Sequence, residues 1–286
     1  MKKLLVLSGK GGTGKTTVAA SFAFLSKARA VADCDVDAPN LHLVSQLDVR
    51  PVVSDFMGSK KAVIDGSACV GCQECLSHCR FGSIDVVDGK CVVDAFSCEG
   101  CGVCEFVCPV GAVFMVDDVA GQQCLYVSDC VFSSATLKMG RGNSGKLVSA
   151  VKQLLYENSD AELAIIDGSP GIGCPVIASM SGVDLVLIVA EPSVSGLNDL
   201  KRLVNTARSI RVNVVVCVNK YDVSVENFEQ IVEYCRCENV PFVGQIPYDS
   251  RALEAMNEGL SLVQLDSLAS RAIRDIFDRT LVFLDK

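Results

Sequence analysis

Ten residues near the start of the chain have the types and spacing to hold a phosphorylated ligand: Ser8-Gly9-Lys10-Gly11-Gly12-Thr13-Gly14-Lys15-Thr16-Thr17. They fit G-x-x-x-x-G-K-[ST], the phosphate-binding loop. Gly9, Gly11, Gly12 and Gly14 let backbone N–H groups, including those of Thr13 and Thr17, turn inward around phosphate oxygens. The helix start that follows adds partial positive charge. Lys15 would pair the β- and γ-phosphates, and Thr16 would offer its hydroxyl to Mg²⁺. Such a loop needs only one lysine, so Lys10, directly after the first glycine, calls for a second explanation.

The elements around the loop agree with that chemistry. Lys3 to Leu7 reads as a short buried strand and Thr16 to Leu25 as an apolar-rich helix, the strand–loop–helix setting that the motif requires. Val31-Ala32-Asp33-Cys34-Asp35 reads as a second strand ending in two carboxylates, and Leu163 to Asp167 as an apolar strand capped by an aspartate, with Pro170-Gly171 behind it. An aspartate at the carboxyl end of a strand beside the loop suits the holding of Mg²⁺ or its waters, which assigns Asp167. Gly171 would present its N–H to the γ-phosphate. A second G-x-x-x-x-G-K run, Gly140 to Lys146, is followed by Leu147, so it lacks the metal-binding hydroxyl. No clear apolar strand leads into it, and it reads as a loop and helix start.

The middle of the chain carries different chemistry. Cys69-x-x-Cys72-x-x-Cys75-x-x-x-Cys79 and Cys98-x-x-Cys101-x-x-Cys104-x-x-x-Cys108 are offset by 29 residues, and Phe81-Gly82-Ser83-Ile84 is echoed by Val110-Gly111-Ala112-Val113. This internal repeat resembles two-cluster bacterial ferredoxins, in which each run supplies three thiolates to one [4Fe–4S] cluster and its fourth thiolate to the other. On that pattern Cys69, Cys72, Cys75 and Cys108 hold one cluster, and Cys98, Cys101, Cys104 and Cys79 the other. A disulfide framework would need an oxidising compartment, and zinc would prefer wider-spaced cysteine pairs. Arg80 replaces the proline usual after such a run, and His78 reads as a solvated side chain.

Composition narrows the function classes. The 286 residues are 50% hydrophobic, enough for a full core, and carry a net charge of −8, which disfavours a nucleic-acid surface. Asp65 to Met115 holds seven acidic and two basic residues, a field suited to a basic redox partner. Sixteen cysteines beside a phosphate loop imply a reducing cytoplasm. The apolar run after Met1 is too short for an export signal, and no stretch suits a membrane span. Ser267 to Asp285 has helical spacing, but four basic and four acidic residues from Leu262 to Lys286 favour a packed helix over a lipid-surface one. Leu147–Tyr156, Ser195–Ile210 and Val225–Cys235 read as helices, and Leu185–Val189, Val214–Val218 and Phe242–Gly244 as strands. The alternation predicts an α/β fold with a doubly wound, mostly parallel sheet. Residues 1–64 and 116–286 form this phosphate-loop domain, and 65–115 is a small inserted α+β domain like bacterial ferredoxins.

Lys10 with Lys15, Asp33-x-Asp35 and Asp167-x-x-x-Gly171 are similar to the deviant-Walker-A ATPases, the MinD/ParA, Mrp and nitrogenase-iron-protein group. The resemblance implies Mg²⁺-dependent ATP hydrolysis in a nucleotide-bridged dimer of this chain, with itself or a paralogue. Lys10 would reach the partner's phosphates, Asp35 would orient the attacking water, and Asp33 would assist Mg²⁺. Asn219 matches the adenine-contacting asparagine, and Pro247-Tyr248-Asp249 the second adenine-side loop. Closure would change how the inserted domain meets a redox or metallocluster partner, and the output would be electron transfer or cluster assembly. The alternative is a spatial or regulatory ATPase with the clusters as redox sensors. Eight cysteines lie outside the two runs, Cys91 among them, and most read as small buried apolar residues. Cys174 lies seven residues after Asp167, where the nitrogenase iron protein has a cluster ligand; a shared site would also need Cys124 or Cys130.

Overall fold

The computed structural model describes residues 1–285. Its strands and α-helices in chain order are β1 (Lys2–Leu7), α1 (Lys15–Leu25), β2 (Ala30–Asp33), β3 (Val52–Met57), β4 (Lys61–Ile64), α2 (Glu74–His78), β5 (Ile84–Val87), β6 (Lys90–Val93), α3 (Val103–Phe106), β7 (Val113–Val116) and β8 (Val119–Val127). They continue with β9 (Val131–Leu137), α4 (Ser144–Asn158), β10 (Leu163–Asp167), α5 (Cys174–Met180), β11 (Leu185–Ala190), α6 (Val194–Ser209), β12 (Asn213–Asn219), α7 (Val225–Cys237), β13 (Phe242–Ile246), α8 (Arg251–Asn257) and α9 (Leu268–Leu284). Two compact units result. One comprises Met1–Val53, Gln123–Thr136 and the chain from Ser144 onward; the other comprises Ser54–Gln122 and Leu137–Asn143.

In the first unit parallel strands stand in the order β13-β12-β11-β1-β10-β2-β9. The central strands are apolar along their whole length because helices cover both faces of a parallel sheet; Leu4 to Leu7 and Val186 to Val189 are almost completely buried. The chain leaves β1 through α1 to β2, then returns from β10 through α5 to β11 on the far side of β1. That reversal opens a crevice at the carboxyl ends of the strands, where such sheets bind ligands. The α1 face packs on α9, with the Phe22 and Phe277 rings edge to face at 5.0 Å. Ile273, Ile276 and Phe277 of α9 are buried in the same core, so the apolar stripe of this helix is spent on the protein interior. Burying each such side chain stabilises the fold by about 1.5–3 kcal/mol. Among the described residues no helix is long and apolar enough to cross a membrane.

Two local expectations are corrected. The second strand ends at Asp33, and Asp35 lies in the loop beyond it. The run Gly140–Lys146 does follow a strand, β9, whose sequence Val-Phe-Ser-Ser-Ala-Thr-Leu hides its burial behind two serines. Ser133 and Ser134 are both buried, and the Ser133 hydroxyl donates to the Val151 carbonyl at 3.0 Å, so the polar atom costs little there. The glycine loop itself is pinned by Arg141, which pairs with Asp118 at 3.0 Å and donates to the Ala95 carbonyl at 2.8 Å. The elements β3, β8, α5 and α8 have no periodic signal strong enough to read from the sequence.

The second unit is built from two antiparallel pairs, β4 with β7 and β5 with β6. The 29-residue repeat extends to its architecture and starts earlier than the cysteines: Lys61-Ala62-Val63-Ile64 of β4 corresponds to Lys90-Cys91-Val92-Val93 of β6. Each half clamps the other. The Lys61 ammonium donates to the Cys98 carbonyl, and the Lys90 ammonium to the Cys69 carbonyl. A side chain on Gly71 would overlap the Gly89 carbonyl, and one on Gly100 the Lys60 carbonyl. Helices α2 and α3 both begin from a left-handed residue, Gln73 at φ 64° and Gly102 at φ 77°. The small core consists mainly of cysteines, with Ala62, Ile84, Ala112 and Val113.

Candidate functional site

Strand register brings the phosphate-loop residues and the carboxylates to one edge. Val6 pairs with Asp167, and Asp167 with Asp33, so the loop leaving β1 faces both aspartates. Lys15, the first residue of α1, is buried and pairs with Asp167 at 2.7 Å; the Thr16 hydroxyl donates to the other Asp167 oxygen, also at 2.7 Å. Burial opposes the Lys15 charge, but Asp167, Asp35 and Asp33 outweigh it and raise its pKa. Asp33 is fully buried and accepts from the backbone N–H groups of Asp35, Asn40 and Leu41 at 2.9–3.0 Å. Burial and the neighbouring Asp167 charge nevertheless push its pKa up to about 7. Burial also raises Asp35, against the pull of Lys15. One cation facing three carboxylates leaves this pocket short of positive charge, the condition that a divalent ion relieves.

Lys10 points to its own chain. Its ammonium lies 2.8 Å from Glu191 and 3.2 and 3.3 Å from the Ser195 and Ser193 hydroxyls. Gly171 adopts φ 98° and donates its N–H to the Ser8 carbonyl at 3.0 Å, so that group is engaged within the chain. Asn219, the last residue of β12, donates to the Thr13 carbonyl at 2.7 Å, and Lys220 donates to the Gly12 carbonyl at 2.9 Å. A side chain on Gly14, at φ 89°, would overlap the Asn219 amide. Beside this braced loop opens a cavity of about 290 Å³ lined by Gly12, Gly14, Thr17, Asn219, Pro247 and Tyr248 among others. Glycine-loop backbone meets apolar wall there, as a nucleotide's phosphate and base would require. Sequence reasoning missed Glu191, Ser193, Ser195 and Lys220; the only signal for the first three was a polar cluster directly after a fully apolar strand.

The two cysteine runs meet across the second unit. One cavity is lined by Cys69, Cys72 and Cys75 of the first run and Cys108 of the second. Another is lined by Cys98, Cys101 and Cys104 with Cys79. The lone contributor to each cavity sits in a ring of N–H donors: Ser83 N–H to the Cys79 sulfur at 3.5 Å, Ala112 N–H to the Cys108 sulfur at 3.2 Å. Burial works against the charged form of both thiols, but these turn N–H groups outweigh it and hold both below the usual thiol range. No three His, Cys, Asp or Glu side chains among the described residues are grouped to hold a single metal ion. A cubane spreads its four thiolates farther apart than one ion does, because each ligates a different iron. Cys91, expected as a plain buried residue, is buried but lines the first cavity. Cys174 is exposed at the start of α5, and Cys124 and Cys130 are partly buried.

Residues 4–263 match the sequence model of the CobQ/CobB/MinD/ParA nucleotide-binding domain. An uncharacterised protein of Methanocaldococcus jannaschii is 31% identical over 285 residues, 99% of this chain and 97% of its own. An iron-sulfur cluster carrier protein of Pyrococcus furiosus is 30% identical over 154 residues, 47% of this chain and 51% of its own. Among solved structures, the septum site-determining protein MinD of Pyrococcus horikoshii, in complex with Mg-ADP, superposes with a TM-score of 0.57 at 18% identity, covering 97% of this chain and 94% of that one. At that identity the likeness concerns the fold: a MinD-like α/β unit with a mostly parallel sheet.

Proposed function

Because the chain belongs to the CobQ/CobB/MinD/ParA family of nucleotide-binding ATPase domains, we propose that it is an ATP-hydrolysing iron–sulfur protein. In this reading nucleotide binding switches a dimer, and the switch governs electron transfer or metallocluster transfer through two [4Fe–4S] clusters in an inserted domain at 65–115. One observation carries the iron–sulfur half. Eight cysteines from two runs sort into two cavities, three plus one and one plus three, in the chain that also holds the nucleotide pocket. All-thiolate donor sets suit iron–sulfur clusters, and the N–H groups around Cys79 and Cys108 favour thiolate over thiol. A cluster bound in each cavity would supply one-electron chemistry.

On the nucleotide side, Gly9, Gly11, Gly12, Thr13, Gly14 and Thr17 cradle the phosphates. The Thr13 hydroxyl is buried without a hydrogen-bond partner among the described residues, which fits an oxygen-rich ligand in the loop. Lys15 exchanges the Asp167 carboxylate for the β- and γ-phosphates. Thr16 and Asp167, both oxygen donors, would hold Mg²⁺; Asp33, expected to assist the ion, has both carboxylate oxygens engaged by the N–H groups of Asp35, Asn40 and Leu41 and keeps the adjoining loop in place. Asp35 accepts a hydrogen bond from the attacking water and aims it at the γ-phosphorus, where the bond to the β–γ bridging oxygen breaks. Asn219 and Pro247 border the base. Lys10 leaves Glu191 and reaches the partner's phosphates, adding positive charge where negative charge develops.

The test joins both halves. Iron and sulfide are measured per chain after anaerobic reconstitution. ATP turnover and dimerisation are then compared for wild type, Lys15→Ala and Lys10→Ala with clusters oxidised and reduced. The proposal expects about eight irons per chain, turnover lost in both variants, dimerisation lost with Lys10, and cluster potentials that move with ATP. Full activity of Lys10→Ala would refute the trans role. Turnover blind to redox state, with potentials blind to ATP, would uncouple the halves. ATP-dependent binding to liposomes would instead favour the spatial ATPase.

A further inference from the structure

The two cysteine cavities are related by the 29-residue repeat, yet at one wall position the first carries a thiol that the second lacks. Cys91 of β6 corresponds to Ala62 of β4. Cys91 lines the cavity of Cys69, Cys72, Cys75 and Cys108; Ala62 lines the other. Both are buried, at 3% exposure each. Other neighbours of the pair are matched in part: Lys90 donates to the Cys69 carbonyl as Lys61 does to that of Cys98, and Ala112 N–H faces Cys108 as Ser83 N–H faces Cys79, while the second cavity has the Ser83 hydroxyl and Glu99 where the first has Ala112 and Val70. The first cavity therefore has five thiols for four irons.

The repeat shows which thiol is the extra one. Cys108 has a counterpart, Cys79, with the same N–H surroundings, whereas the counterpart of Cys91 is an alanine that cannot bind iron. Cys91 shares the wall of that cavity with Cys69 and Cys75. Because it sits on a strand paired with β5, its sulfur is held in place by the sheet rather than by a mobile loop.

We propose that Cys91 is not a cluster ligand but an S–H donor to the thiolates of the Cys69/Cys72/Cys75/Cys108 site, and that it raises the reduction potential of that cluster alone. A hydrogen bond to a ligand sulfur stabilises the reduced cluster more than the oxidised one, because reduction adds negative charge to the iron–sulfur unit. The Cys91 thiol thus acts on one of two cages that share the same ligand pattern. This rests on the iron–sulfur reading proposed above.

The experiment uses the full reconstituted chain, with iron and sulfide counted and both clusters titrated by electron paramagnetic resonance at set potentials. Variants are Cys91→Ala, Cys91→Ser and Ala62→Cys. Cys91→Ala keeps about eight irons per chain and lowers the reduced-to-oxidised ratio of one cluster about threefold or more at a fixed potential, leaving the other unmoved. Cys91→Ser, which keeps a donor, restores most of that ratio. Ala62→Cys shifts the other cluster in the opposite sense. A fall to about four irons in Cys91→Ala would make Cys91 a ligand and overturn the proposal. So would an unchanged potential at full iron content. A wild-type chain that takes up no iron and sulfide would instead remove the iron–sulfur reading itself.

Discussion

The crossed assignment of the cysteines makes a prediction that counts iron atoms. Each cavity draws three thiols from one run and one from the other, Cys108 entering the first cavity and Cys79 the second. Removing Cys108 with Cys108→Ala therefore breaks the site of Cys69, Cys72 and Cys75 and spares the other, so iron falls from about eight to about four per chain. The pairings discriminate further. Cys108→Ala with Cys69→Ala damages one site twice and leaves about four irons, whereas Cys108→Ala with Cys98→Ala damages both and leaves about none. Were each run to hold its own cluster, the two double variants would exchange results. The assay is iron and sulfide per chain after anaerobic reconstitution. Nucleotide binding serves as the folding control, since Lys15, Asn219 and Pro247 belong to the other compact unit. About four irons in the Cys108/Cys98 double variant would refute the crossed arrangement.

Three further outcomes are expected. Gly14→Ala would force an alanine to φ 89° and push the Asn219 amide off the Thr13 carbonyl; strain and the lost hydrogen bond together weaken nucleotide affinity about thirtyfold, read by calorimetric titration. Asp33 holds its proton to about pH 7 in the fold and, unfolded, releases it near 3.8. The folded state binds more protons between those values, so stability of the nucleotide-free protein falls as pH rises through this window, and Asp33→Asn flattens the dependence in urea titrations at pH 5 and 7.5. Lys152, buried in α4, donates to the Ala178, Ser179 and Ser181 carbonyls at 2.5–2.9 Å. Lys152→Met orphans those three acceptors at the end of α5 and costs about 3 kcal/mol by chemical denaturation; a neutral result would mean water replaces the ammonium.

Much of the nucleotide side was legible because its signals are local. A glycine loop after an apolar strand, aspartates at strand ends and an asparagine closing another strand each read from a few adjacent residues, and the parallel sheet then gathers them by register. What stayed hidden depended on partners distant in sequence. Strand β9 was obscured because Ser133 is buried at the cost of one hydrogen bond to Val151, a solution that no hydrophobic count registers. The hold of Glu191 on Lys10 joins residues far apart in the chain.

The sequence by itself determined the chemistry available: a phosphate loop with an additional lysine, carboxylates at strand ends, and two four-cysteine runs in a 29-residue repeat. Residue type and short spacing suffice for that, because backbone geometry over a few residues is nearly fixed. The tertiary structure alone decided where the charges rest and which thiols share a wall. It placed Lys15 on Asp167, Lys10 on Glu191, and Cys91 rather than alanine against one cysteine set. Those outcomes depend on packing between segments that only folding brings together, and there a one-atom difference between Cys91 and Ala62 gives one cavity a thiol that the other lacks.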